Sequence, residues 1–344
     1  MAYTAIDDAE AYFQAKTYTG DGSTPSITFD GDTDMQPDLV WYKSRSNAYS
    51  HGLFDVLRGA SEQLYSDSTT AEATYSGVSS FDSDGFTLGT DAGGNENSAT
   101  YVAWCWKAGG SGSANTTGAT SSTVSVNSTS KFSIVQWTGT GSTTTVGHSL
   151  GVVPDMFITK STGTGSWGVY HQGSASSPED GTLLLNGDGA WYDHTAYYND
   201  TAPTSTVFTV NSDDAVNKVG TMIAYCFSSV QGFSKFGSYT GNGDADGAFV
   251  YTGFRPAFVI NKRTDNTSGW DIFDNKRSGY NVVNRLLGAN VSDVESTTDK
   301  LDILSNGFKM RTDSGGNYSD AEYVYIAFAE SPLVNSNGVP TNAR

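Results

Sequence analysis

Apolar side chains recur along the chain in short runs bounded by Gly, Ser, Thr, Asn and Asp. Leu39-Val40-Trp41 and Phe258-Val259-Ile260 are continuously apolar, the pattern of a strand buried on both faces. Both follow a proline, Pro37 and Pro256, and both stop at a lysine, Lys43 and Lys262. Met156-Phe157-Ile158, between Pro154 and Lys160, is a third run of the same kind. A proline at the head of a strand removes an N–H where the ladder does not need one. The lysines are expected to mark where each strand reaches water; a row of binding cations is the alternative.

Each run belongs to a longer phrase that is stated three times. An aromatic-Thr-Gly-x-Gly turn precedes it, at Tyr18 to Gly22, Trp137 to Gly141 and Tyr239 to Gly243. An aromatic strand follows (Leu53-Phe54-Asp55, Trp167-Gly168-Val169-Tyr170, Trp270-Asp271-Ile272-Phe273-Asp274), then a Phe-centred one around Phe86, Phe208 and Phe308. The phrase closes on Tyr101 to Trp106, Met222 to Phe227 and Tyr323 to Phe328. A period of roughly 100 to 120 residues is the length of a small domain, too long for solenoid or propeller repeats. The predicted fold class is all-β: three tandem antiparallel β-sandwich domains, jelly-roll or lectin-like, with a short N-terminal helix.

The organisation that follows is a helical arm over residues 1–16, repeat one over 17–108, a Gly/Ser/Thr linker over 109–130, repeat two over 131–228, repeat three over 232–332, and a tail over 333–344. The helix is read from Asp7 to Lys16, with Asp7 as cap and Ala9, Tyr12, Phe13 and Lys16 on one face. That face docks on repeat one or on a neighbouring subunit. The repeats are expected as beads, two and three forming a rigid pair and one hinged to them through the linker.

Composition sharpens this picture. Charged residues are 16% of the 344 and 39 glycines are present, which suits short strands and tight turns better than long helices. A net charge of −18 argues against nucleic acid or a membrane surface as partner. No run is long and apolar enough to span a bilayer, and a signal peptide is not expected. Cys105 and Cys226 fall at matching places in two closing strands, so two free buried thiols and assembly in a reducing cytosol are expected.

Candidate chemistry is sparse. Asp30 to Asp34 and Asn242 to Gly247 resemble calcium loops without the terminal glutamate, and read as polar turns. His51, His148, His171 and His194 have no zinc spacing, although His51 and His171 occupy similar places in their repeats. Gly163 to Gly168 matches a dinucleotide pattern by letter but opens no helix. No catalytic residues, metal ligands or cofactors are assigned, and the chain is expected not to be an enzyme. The candidate site is Trp191, Tyr192, His194, Tyr197 and Tyr198 in repeat two. Flat rings beside Asp and Asn suit a glycan, a protein partner or packing within the domain, and these alternatives stay open.

The runs Phe81 to Gly89, Tyr101 to Gly109, Phe236 to Gly243, Tyr251 to Val259 and Leu301 to Lys309 resemble a repeat-domain family of unknown function encoded by marine bacteriophages. The resemblance covers nearly the whole chain. It implies a virion structural protein, assembled in the host bacterial cytoplasm and placed on the particle exterior. A tail fibre or appendage that adheres to host surface glycans is the first expectation. A capsid decoration protein and a tailspike-type polysaccharide depolymerase are the alternatives. Expected partners are other virion proteins, further copies of the chain (a trimer among the arrangements) and host glycan.

Overall fold

The computed structural model describes residues 3–341, so residues 1–2 of the arm and 342–344 of the tail lie outside the described residues. The Pro-led runs are central strands: Leu39–Ser44 and Met156–Ser161 are buried throughout, and Phe254–Arg263 nearly so. In every repeat the central strand lies between the closing strand and a return strand, and the opening strand flanks the closing one. Repeat one thus reads Phe13–Thr19, Thr100–Trp106, Leu39–Ser44, Gly52–Asp55, Gly59–Leu64. Repeat two reads Phe132–Gly139, Gly220–Phe227, Met156–Ser161, Gly168–His171, Gly181–Leu184. Repeat three reads Ser234–Thr240, Glu322–Pro332, Phe254–Arg263, Trp270–Asp274, Val283–Gly288. Neighbours in these sheets are antiparallel, so the protein is all-β with three copies of one strand order. The register repeats as well: Leu39, Met156 and Phe258 pair with Trp106, Phe227 and Phe328.

Alternation along a strand explains why these runs are apolar on both sides. Val40 and Tyr42 face repeat one's own core, with Phe54, Phe86 and Cys105. Leu39 and Trp41 face the other way, into a core that all three repeats share. Repeat two divides likewise, Phe157 inward to its own core and Met156 and Ile158 to the common one. The repeats are therefore not beads with a hinge. Trp106, Phe227 and Phe328, equivalent in register, meet at the centre with ring centroids 5.6 to 6.5 Å apart. They close the three sheets around a pseudo-threefold axis.

Three further expectations are corrected. Of the predicted helix from Asp7 to Lys16 only Ala9–Ala11 is helical, a single 3-10 turn capped by Asp8 rather than Asp7. Phe13–Thr19 is the opening strand, because seven residue pairs with Thr100–Trp106 outweigh a helix too short to stand alone. Phe13 packs its ring on Trp106, Phe258 and Phe328. The low-complexity stretch is no free linker: Ser113–Asn115 and Ser122–Asn127 extend the sheet of repeat two beyond Phe132–Gly139. Its Ser and Thr residues lack bulk, but the backbone ladder needs none.

The lysines do not reach water. Lys43, Lys160 and Lys262 are each 0% exposed. Each ammonium donates to the carbonyl of the residue that follows it, at 2.8, 2.7 and 2.6 Å. Cys105 and Cys226 are buried free thiols.

Candidate functional site

The aromatic-Thr-Gly-x-Gly turn recurs in all three repeats. Its second glycine (Gly22, Gly141, Gly243) has φ between +66° and +69°, which disfavours other residues. A Cβ on its first glycine (Gly20, Gly139, Gly241) would stand 2.0 to 2.3 Å from a backbone oxygen. What holds the turn is an asparagine outside the repeated phrase. Asn95, Asn217 and Asn317 are fully buried, and each accepts from the turn backbone through Oδ1. Each donates through Nδ2 to a second carbonyl of the same turn. The signal was present, an Asn five or six residues ahead of Tyr101, Met222 and Tyr323.

Polar groups then join the repeats in a cycle. Trp167 Nε1 of repeat two donates to Tyr65 O of repeat one at 2.8 Å. Trp270 Nε1 of repeat three donates to Leu184 O of repeat two at 3.0 Å. His51, at the matching position of repeat one, contacts Gly288 O of repeat three at 2.9 Å. Trp41 Nε1 donates to His51 Nδ1, so the proton sits on Nε2 and is given to Gly288. His51 therefore aligns with Trp167 and Trp270, not with His171.

A second cycle runs through the ends of the return strands. Asp55 is paired with Arg58 and accepts from Tyr225 Oη at 2.8 Å. Asp274 is paired with Arg277 and accepts from Trp104 Nε1 at 3.0 Å. His171, the equivalent in repeat two, reaches Tyr325 O at 3.2 Å while its Nδ1 accepts from Gly173 N. Burial pushes His51 down to about 3, with the charge of Lys43 adding, and His171 down to about 4. Both rings are neutral spacers.

The predicted aromatic segment is split by the fold. Tyr198 is 1% exposed, packs on Phe157 and Tyr170, and its hydroxyl bonds Thr182 Oγ1 at 3.0 Å. Trp191 is half-buried against the shared core, its backbone N–H bonded to Thr264 O of repeat three. Tyr197 leans on repeat two's own core. Tyr192 and His194 remain outside, stacked at 5.8 Å. Asp180 lies beside them, its carboxyl raised by burial and by Asp200, Glu179 and Asp193. The surface left over is small and acidic.

The acidic loops bond within themselves and to lysines, Asp30 with Lys16 and Asp246 with Lys309. Among the described residues no group of three His, Cys, Asp or Glu side chains could hold a metal ion, and no helix is long and apolar enough to cross a membrane. The cavity on the axis, lined by Trp106, Phe227 and Phe328, is apolar and about 30 Å³, room for one water and no ligand.

Fold and joints together define a class: an all-β protein in which three copies of one antiparallel strand order are fused round one core. The chain belongs to the family described as Domain of unknown function (DUF7483), which matches residues 8–332. Comparison with curated proteins gives no match. The family's span takes in all three repeats, as the shared core requires.

Proposed function

We propose that the chain is a bacteriophage virion structural protein on the outside of the particle, a tail fibre or appendage subunit that adheres to host surface glycans without catalysing a reaction. The observation that carries this is the use made of the repeated polar residues. The asparagines hold turns, the lysines cap their own strands, and the ring N–H groups and Asp–Arg pairs bridge repeats. What was copied is architecture, and the product is a stiff block. Within it each repeat reads as a jelly-roll or lectin-like sandwich; repeats one and two carry a separate small sheet, and in repeat three the corresponding strands continue the large one. The acidic surface suits solubility at high copy number, and the resemblance to marine phage repeat domains points the same way.

The pseudo-threefold arrangement favours one second reading, a decoration protein seated on a threefold position of the capsid. Labelling the protein in purified particles and imaging them by electron microscopy separates the two. Label on the tail is the expected result, label on the head selects the alternative, and particles without the protein overturn both.

A further inference from the structure

Phe249 and Tyr251 stand on one face of the short strand Phe249–Tyr251 of repeat three, on either side of buried Val250. They are 48% and 47% exposed. The strand is the last of its sheet, and the sister repeats provide an internal control. Val250 pairs with Phe308 as Ile27 does with Phe86 and Val146 with Phe208, which fixes the correspondence. Where repeat three carries Phe249, the others carry Ser26 and Thr145; where it carries Tyr251, they carry Thr28 and Gly147. The architecture forms without rings at these positions, so their apolar surface is not there for folding.

An open pocket of about 460 Å³ adjoins Tyr251 where repeats two and three and the N-terminal segment meet. Tyr3 Oη lies 3.2 Å from Tyr251 Oη and donates to Gly253 O at 2.8 Å. Lys235 Nζ bonds Tyr251 O at 2.9 Å and sits 5.3 Å from the ring centroid. Across the pocket are Gln172, held through Nε2 by Phe236 O, and Asp155, held by Ser229 N. Rings flanked by hydroxyl, amide, ammonium and carboxylate groups match a molecule with apolar faces and many hydroxyls. The chain's charge of −18 disfavours an anionic one.

We infer that Phe249, Tyr251 and the pocket formed with Tyr3, Lys235 and Gln172 bind a neutral saccharide, stacking its sugar rings on the two aromatic side chains. This rests on the reading of the chain as an adhesion protein, and it places the contact on repeat three rather than on the aromatic segment of repeat two.

The test is binding of the full chain to an immobilised panel of neutral and acidic oligosaccharides. Three variants are compared with it: Phe249→Ser with Tyr251→Thr, which installs repeat one's residues; Lys235→Gln; and Tyr192→Ala with His194→Ala. Expected is binding to neutral members, reduced at least tenfold by the first variant, several-fold by the second and unchanged by the third. Thermal melting of the first variant should match the parent, and the second reports on the site if it does not. Neutral binding that survives both of the first two variants overturns the site while leaving glycan adhesion standing. No neutral binding by the parent chain also overturns it, whereas the virion reading is decided separately by particle labelling.

Discussion

Asn317 shows what one buried amide does in this protein. It accepts from the Asn242 backbone and donates to Asp244 O and Thr312 O, so its loss removes three bonds that tie the turn backbone down from beneath. Asn317→Ala is expected to cost about 3 kcal/mol, read from the shift in a denaturant midpoint at constant slope. His51 and His171 set the acid limit. Their folded values lie below the ordinary value of about 6.5, so the unfolded chain takes up protons first as pH falls. Stability is whole above that value and declines towards pH 3 to 4, by on the order of 3–5 kcal/mol for each ring. Thermal melting from pH 7 to 4 checks this, and His51→Gln should flatten the decline. The lysines act on the alkaline side. Burial lowers Lys43, Lys160 and Lys262 to about 8, so the unfolded chain holds more protons above that pH and stability rises from pH 8 towards 10. Beyond pH 10 tyrosines reverse the trend, since desolvation raises buried Tyr42 and half-buried Tyr18 and Tyr239 and the unfolded chain loses its phenol protons first.

At the scale of the element, the stretch over 109–130 behaves unlike its composition. Ser122–Asn127 pairs residue for residue with Phe132–Trp137, and Val124 is 4% exposed. Limited proteolysis of the native protein is expected to leave Ser122–Asn127 uncut; early cleavage within that strand would contradict the pairing. The strands around Trp41, Ile158 and Ile260 were legible in the sequence because alternation and Pro-led apolar runs carry them. The opening strand was not, because Ala9, Tyr12, Phe13 and Lys16 also fit a helical period and the competing partner lies about ninety residues away. The lysines were misplaced for a related reason: nothing local announces that a neighbouring repeat covers the end of a strand. Of the candidate residues, Tyr192 and His194 emerged at the surface, while Tyr198 and Trp191 were claimed by cores that ring content alone does not distinguish from a binding face.

For the whole molecule, the common core makes the repeats interdependent. Repeat two alone would present Ile134, Met156, Ile158, Ile223 and Phe227 to water. Residues 131–228 produced separately are expected to self-associate, seen by light scattering, whereas the full chain should melt in one transition with calorimetric and van't Hoff enthalpies in agreement. Two transitions would contradict the shared core. The cycle of joints also treats covalent and non-covalent neighbours alike. Repeats one and three touch as the other pairs do, and the two ends of the described chain lie close: Ser336 N bonds Asp7 at 2.7 Å. Peptide continuity is thus incidental to which repeat comes first. A circular permutant that fuses the present termini and opens instead near Ser229 should reach the same native state.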